Sequence, residues 1–164
     1  MRRRLIMLAL SMLPMPVAAA ELPDAIAAPG EALVATAQAV GAQVYECKFD
    51  TAANLIWHFR EPIATLSIAG STVGRHYAGP VWELTDGSAV SARVSGDAPG
   101  ASSRDIRLLK LAVVAQRGEG QLASVTTIQR INTKGGVAEG ACDSDGALLS
   151  VPYTADYAFY RKRD

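Results

Sequence analysis

Apolar and polar residues alternate one by one along much of this sequence, and this period of two limits the fold more than any other feature. The alternating positions are Tyr45, Cys47 and Phe49, then Leu55, Trp57 and Phe59, then Ala64, Leu66 and Ile68, then Val90, Ala92 and Val94, and last Tyr153, Ala155, Tyr157 and Phe159. Successive side chains of an extended strand point to opposite faces, so this pattern is typical of strands with one buried face. The sequence therefore predicts a protein built mainly from β-strands.

Residues that favour chain reversals separate the alternating stretches. They are residues 50–54, Gly70-Ser71, Gly79-Pro80, Asp86-Gly87, Gly135-Gly136 and residues 143–146. About eight or nine short strands with little helix, separated by such turns, predict an antiparallel β-sandwich or a barrel-like sheet. The candidate core consists of large aromatic residues on the predicted buried faces, namely Tyr45, Trp57, Phe59, Trp82, Tyr157 and Phe159.

Three segments are less regular than these strands. Residues 31–40 are rich in alanine and precede Gly41, so they permit a short helix with this glycine as its cap, but the segment could equally open a strand. Residues 96–104 are polar and small, which predicts a flexible loop. The apolar run from Leu108 to Val114 is short and soon followed by glycines, which favours a strand over a helix.

The first twenty residues have the organisation of a secretory signal peptide. Three arginines precede an apolar run over residues 5–13, and Ala18-Ala19-Ala20 form a cleavage site of the A-x-A kind. A membrane anchor needs roughly 20 apolar residues, and this run is much shorter. We therefore expect export to the periplasm or the extracellular space, with removal of residues 1–20.

The remainder of the chain is expected to contain a flexible N-terminal segment, residues 21–30, and a single β domain, residues 31–164. It has no further apolar stretch long enough for a transmembrane segment. Without the three arginines of the leader, 13 basic and 16 acidic residues give a net charge of −3. Such a weakly acidic domain offers no electrostatic basis for binding nucleic acid.

Two cysteines, Cys47 and Cys142, lie far apart in the sequence. An exported protein meets an oxidising compartment. The alternative is a thiol catalyst, which two distant cysteines without a redox motif do not favour. The sequence therefore predicts a disulfide between them.

The segment from Gly74 to Ser88 concentrates side chains capable of chemistry. His76 is one of two histidines, and an imidazole serves as a general base or a metal ligand when a carboxylate such as Glu83 or Asp86 orients it. These three residues are the candidate catalytic groups. In an extended chain they meet only if the backbone folds back between them, and the alternative is that His76 caps a turn by hydrogen bonding to a backbone carbonyl.

Aromatic residues of the same segment suggest a binding site. His76, Tyr77 and Trp82 combine apolar faces with polar tips, which suits a pocket for a sugar, a lipid or an aromatic molecule, although Trp82 could instead belong to the core. The other histidine, His58, falls on the polar face of its strand, and no short spacing of histidines indicates a metal site. No serine lies in a G-x-S-x-G motif, so a serine hydrolase is not expected. We expect neither a metal nor a cofactor.

Four stretches carry a resemblance to a known family: GAQVYEC at residues 41–47, GRHYAGPVWELTDGS at 74–88, IQRINTKGG at 128–136 and VPYTADYAFY at 151–160. In this order they resemble the domain of unknown function 3455 family of exported bacterial and fungal proteins. The resemblance implies secretion and a single domain, and the two cysteines agree with its pattern. It implies no activity. Some fungal members carry a dehydrogenase label, but this sequence lacks a G-x-G-x-x-G motif between a strand and a helix.

Three functions remain open on the sequence. The first is a small-ligand or surface-binding β module, whose partner would be a small molecule or a component of the cell envelope. The second is an exported, hydrolase-like enzyme that uses His76 with Glu83 or Asp86. The third is a structural or stress-related envelope protein without a ligand. A carboxylate within hydrogen-bond reach of His76 in an open cavity favours the enzyme, an apolar cavity favours binding, and a filled barrel favours neither.

Overall fold

The alternating stretches form eight strands in the computed structural model, which describes residues 22–163. The leader predicted at residues 1–20 lies outside this range. The strands are β1 (Glu31–Phe49), β2 (Leu55–Ile68), β3 (Ser71–Tyr77), β4 (Val81–Leu84), β5 (Ala89–Ala98), β6 (Leu108–Arg117), β7 (Thr127–Gly135) and β8 (Leu148–Lys162).

Each strand pairs antiparallel with the next, and β1 also pairs with β8, so the sheet closes into a barrel. This confirms the predicted mainly β fold, and of the two architectures left open the chain adopts the barrel. Closure pairs both edges of the sheet, which removes the unpaired backbone groups of an open edge. An eight-stranded barrel has an interior that side chains can fill, or that can hold one small ligand.

β1 contains the alanine-rich segment 31–40, so the helix alternative for this segment is wrong. It pairs with β8 from Glu31, opposite Lys162, to Glu46, opposite Leu148. Helix propensity is a weak preference, and this long backbone pairing overrides the tendency of alanine. β5 likewise continues to Ala98, so the predicted loop 96–104 begins as strand.

β2 unites two alternating stretches that the sequence pattern suggests as separate strands. Val44 of β1 lies opposite Glu61, whereas Tyr45 lies opposite Phe59, so Arg60 is an extra residue in β2. Such a bulge shifts the inward-facing positions by one residue. Before Arg60 the odd-numbered residues of β2 face the interior, and after it the even-numbered residues do. Ala64 and Leu66 are therefore buried in the core.

The barrel is filled with side chains at the end where β6 connects to β7. Leu122 and Val125 of this connection are fully buried and pack into a core with Leu66, Ile128 and Phe159. Of the predicted core aromatics, Trp82, Tyr157 and Phe159 are buried, and Tyr45 and Trp57 are half-buried. The assignment of Phe59 to the core is wrong, because it lies beside the bulge at the other end of the barrel and is 55% exposed.

The segment before β1 packs on the outer surface of the barrel. It contains a short 3₁₀ helix, Asp24–Ile26, whose Ile26 is fully buried. Gln129 donates a hydrogen bond to the Ile26 carbonyl, and Lys110 Nζ donates one of 2.8 Å to the Ala27 carbonyl. Part of the segment predicted to be flexible is thus in contact with β6 and β7.

The predicted disulfide between Cys47 and Cys142 is present, with 5.9 Å between the two Cα atoms. It joins the end of β1 to the β7–β8 connection. Backbone hydrogen bonds flank it, from the Cys47 amide to Ala147 and from the Gly146 amide to Cys47. The disulfide therefore fixes a long connection at the end of the barrel opposite the filled core.

Candidate functional site

A cavity of about 710 Å³ occupies the unfilled end of the barrel. The β3–β4, β5–β6 and β7–β8 connections border it. The Cys47–Cys142 disulfide lies at the same end of the barrel. Most of its wall is aliphatic or aromatic. The lining residues are Gln43, Tyr45, Phe59, Arg60, Pro62, His76, Gly79, Pro80, Trp82, Val94, Ile106, Arg107, Leu109, Leu111, Arg130, Val137 and Tyr157.

Three stacked rings form one side of the cavity wall. His76 of β3 lies directly opposite Trp82 of β4, and their rings stack with centroids 4.2 Å apart and planes 13° from parallel. Tyr157 of β8 meets both rings edge-on, at 5.0 Å from His76 and 5.2 Å from Trp82. Such contacts add to the stabilisation from burial and fix the rings in place.

His76 is a neutral hydrogen-bonded histidine. Its Nδ1 lies 2.9 Å from the Val81 carbonyl oxygen, which can only accept, so Nδ1 carries the proton and Nε2 is left with a lone pair. Burial lowers the pKa of His76 from 6.5 to about 4, and the charge of Arg130 acts in the same direction against the Val81 hydrogen bond. The sequence alternative, in which His76 hydrogen-bonds to a backbone carbonyl at a turn, thus matches this contact with Val81.

Glu83 does not meet His76. It alternates with the buried residues Trp82 and Leu84 and therefore lies on the outer face of β4. There its Oε2 accepts a hydrogen bond of 2.6 Å from the Tyr77 hydroxyl, and Arg75 and Arg117 each approach it to 3.2 Å. Two of the predicted site residues, Tyr77 and Glu83, thus belong to a surface cluster outside the cavity.

Asp86 is a turn residue at the filled end of the barrel. Its Oδ1 accepts hydrogen bonds from the amide and the hydroxyl of Ser88, and its Oδ2 accepts one from the Gln121 amide. Gly87 adopts a φ of 88°, as the predicted Asp-Gly turn requires. Asp86 therefore ties the β4–β5 turn to the β6–β7 connection, and it does not lie with His76 in the cavity wall.

Three arginines give the cavity a positive charge. Arg60 and Arg107 have carboxylates beside them, Arg60 pairing with Glu46 and Glu61 and Arg107 with Asp97. Arg130 donates a hydrogen bond of 3.0 Å from Nε to the Arg107 carbonyl. The lining residues include no aspartate or glutamate.

Within residues 22–163, no group of three or more His, Cys, Asp and Glu side chains is arranged to hold a metal ion. Over the same residues, no helix is long and apolar enough to cross a membrane.

The sequence matches the family described as "Protein of unknown function (DUF3455)" over residues 28–161. This chain is a member of the DUF3455 family. The match spans β1 to β8 almost completely and confirms the resemblance seen in the sequence. No curated protein and no solved structure matches the chain.

Sequence reasoning on this DUF3455 protein finds His76 and Trp82 in the cavity but misses Arg130, Gln43 and Tyr45. The signal for Arg130 is present in the pattern of β7. Ile128 faces the core, so Arg130, two residues later, must face the same side of the strand. A charged residue on the inward, apolar face of a strand indicates that the interior has a polar position there.

Proposed function

We propose that this DUF3455 protein binds one small, largely apolar molecule in the open end of its barrel. The observation that carries this proposal is the division of the interior into two halves. Leu66, Leu122 and Phe159 fill one half without exposure, whereas the other half encloses about 710 Å³. Binding sites for small molecules commonly have volumes of about 300–1,000 Å³, and this cavity falls within that range.

The composition of the wall supports the same proposal. Leu109, Leu111 and Val94 provide aliphatic surface, and Trp82 and Tyr157 provide aromatic faces. A few polar groups among apolar residues are the usual composition of a ligand site, since they orient a ligand that the apolar surface holds. The disulfide supports an exported location for this binding activity, because disulfides persist in oxidising compartments.

An acid–base mechanism with His76 and either predicted acid has less support. General catalysis of that kind needs a carboxylate within hydrogen-bond reach of the imidazole or one water away. Glu83 is bonded to Tyr77 and arginines on the outer face, and Asp86 is bonded within its turn. The only hydrogen bond of the His76 ring among the described residues goes to the Val81 carbonyl.

The experiment compares two valines that are each more than half exposed. Val94 lines the cavity, and Val40 lies on the outer face of β1. Wild-type protein, Val94→Trp and Val40→Trp would be purified from the native cell envelope, incubated with an organic extract of that envelope, and compared by native mass spectrometry. We expect one small molecule bound to wild type and to Val40→Trp, and loss of it from Val94→Trp. Equal retention by both variants, or no bound molecule in wild type, would overturn the proposal.

A further inference from the structure

We propose that the ligand of this cavity carries a single carboxylate, which the Arg130 guanidinium binds, on an apolar body that contacts the aliphatic and aromatic wall. This inference rests on the proposed function and names the chemical class of ligand that the site takes.

The register of β7 directs Arg130 into the barrel. Arg130 lies opposite Leu109 on β6 and opposite Tyr157 on β8. Residues directly opposite one another on neighbouring strands point to the same face of a sheet. Leu109 and Tyr157 both line the cavity, so the Arg130 side chain enters the same space.

The positive charge of Arg130 acts on groups around the cavity. Burial raises the pKa of the Tyr45, Tyr153 and Tyr157 hydroxyls, and in each case the charge of Arg130 opposes the shift. These tyrosines lie on β1 and β8. The guanidinium is therefore close to two neighbouring walls of the cavity, where a bound ligand would meet it.

Arg130 differs from the other two arginines of the cavity in its charge balance. Carboxylates of the protein lie beside Arg60 and Arg107, but no ion pair within residues 22–163 includes Arg130. Its Nε donates to the Arg107 carbonyl and its side chain also hydrogen-bonds with the Tyr157 hydroxyl, but both partners are neutral, and a guanidinium has five N–H donors. A half-buried charge beside apolar surface is stabilised by an opposite charge, and this one is left without such a partner by the described chain.

One uncompensated charge selects a ligand with one negative charge. A carboxylate matches it and accepts two parallel hydrogen bonds from the planar guanidinium. A phosphate monoester carries about two negative charges at pH 7, so its second charge would remain uncompensated beside Trp82 and Tyr157. His76 supplies no further positive charge, because it is neutral.

Isothermal titration calorimetry with decanoate and decan-1-ol tests the inference, since the two probes share an apolar chain and differ in charge. Wild-type protein, Arg130→Gln and Arg93→Gln are compared. Arg93 is the matched control, because it is an exposed arginine of β5 that does not line the cavity. Binding of decan-1-ol also shows that the cavity of each variant is folded.

We expect wild type to bind decanoate at least about tenfold more tightly than decan-1-ol, a difference of about 1.4 kcal/mol. Arg130→Gln should remove this preference and leave decan-1-ol within about threefold of wild type. Arg93→Gln should preserve the preference, because solvent and salt screen an exposed charge outside the cavity. Equal affinity of wild type for both probes, or a preference that survives in Arg130→Gln, would overturn the carboxylate inference and leave the proposed cavity in place. Failure of both probes to bind would overturn the inference, and the comparison of Val94→Trp with Val40→Trp would then decide the proposed function separately.

Discussion

His76 and Trp82 stack across β3 and β4, with 4.2 Å between their ring centroids, and the stack forms part of the cavity wall. The pair is buried, with 3% of His76 and 1% of Trp82 exposed. Because burial keeps the imidazole neutral, the stack presents an aromatic surface to the cavity and adds no charge to it. The positive charge of the cavity wall therefore comes from arginine side chains.

The buried state of His76 predicts a loss of stability in acid. The pKa of His76 is about 4 in the folded protein and 6.5 when the side chain is exposed in the unfolded chain. Between pH 4 and 6.5 the unfolded chain therefore binds more protons than the folded protein, and stability falls as the pH falls. We expect the contribution of His76 to the free energy of unfolding to fall by about 3 kcal/mol as the pH falls from 7 to 4, and to level off below that. Urea unfolding at several pH values measures it.

The control for this pH dependence is the exposed histidine. The acid-dependent loss should be smaller in His76→Gln than in wild type, and His58→Gln should retain the full loss, since His58 is exposed. If the free energy of unfolding depended on pH equally in wild type and in His76→Gln, His76 would not be a buried, neutral histidine.

The two halves of the barrel should respond differently to truncation of a leucine. Leu66→Ala in the filled half should cost about 2–5 kcal/mol of unfolding free energy, because it leaves a new cavity in a packed core. Leu109→Ala should cost only roughly 1–2 kcal/mol, because its side chain already borders the cavity. Denaturant unfolding of both variants measures the difference, and equal costs would show that the open end is packed like the core.

Ser88 should matter for stability through its hydroxyl. The side chain is fully buried, donates a hydrogen bond to Asp86 and accepts one of 3.2 Å from the Leu122 amide. Ser88→Ala leaves that amide without its acceptor, so we expect a loss of about 1–3 kcal/mol. Ser71→Ala, at an exposed position, is the control and should be close to neutral in the same unfolding measurement. Equal unfolding free energies for Ser88→Ala and Ser71→Ala would contradict this role of the Ser88 hydroxyl.

Removal of the disulfide should destabilise the protein substantially. Cys47 and Cys142 are 95 residues apart, and closing a loop of this length stabilises a folded chain by up to about 4–5 kcal/mol in the chain-entropy model. The double variant Cys47→Ala, Cys142→Ala is therefore expected to unfold at a lower denaturant concentration than the oxidised wild type. Coincident unfolding curves would show that the crosslink adds little to the contacts around it.

Local alternation in the sequence predicts the strands well, but it does not predict how they are joined or shifted. The separate stretches around Trp57 and Leu66 belong to one strand, because the extra residue Arg60 changes the face on which side chains point. The alternation of apolar and polar residues is out of phase on the two sides of the bulge. One strand therefore gives the pattern of two separate strands. Phe59 is exposed although the alternation predicts it in the core, because its position next to the bulge and the open end is a property of the closed barrel.

The candidate site was predictable only in part. His76 and Trp82 could be singled out because rare residue types cluster there, whereas Glu83 looked equally suitable until the register placed it on the outer face. Arg130 is far from them in sequence and joins them in the cavity wall only through barrel closure. Its inward direction could be inferred from Ile128, but the lack of an ion pair to it among residues 22–163 could not.

The central claim, a ligand site in the open end of the barrel, can be tested most directly with the two tryptophans of the chain. Trp82 lines the cavity and Trp57 does not. In Trp57→Phe, where Trp82 is the only tryptophan, titration with decan-1-ol should produce a saturable change in emission, while Trp82→Phe, which reports on Trp57, should show none. A saturable response from Trp57 and not from Trp82 would place the bound probe elsewhere and would contradict a ligand site in this cavity.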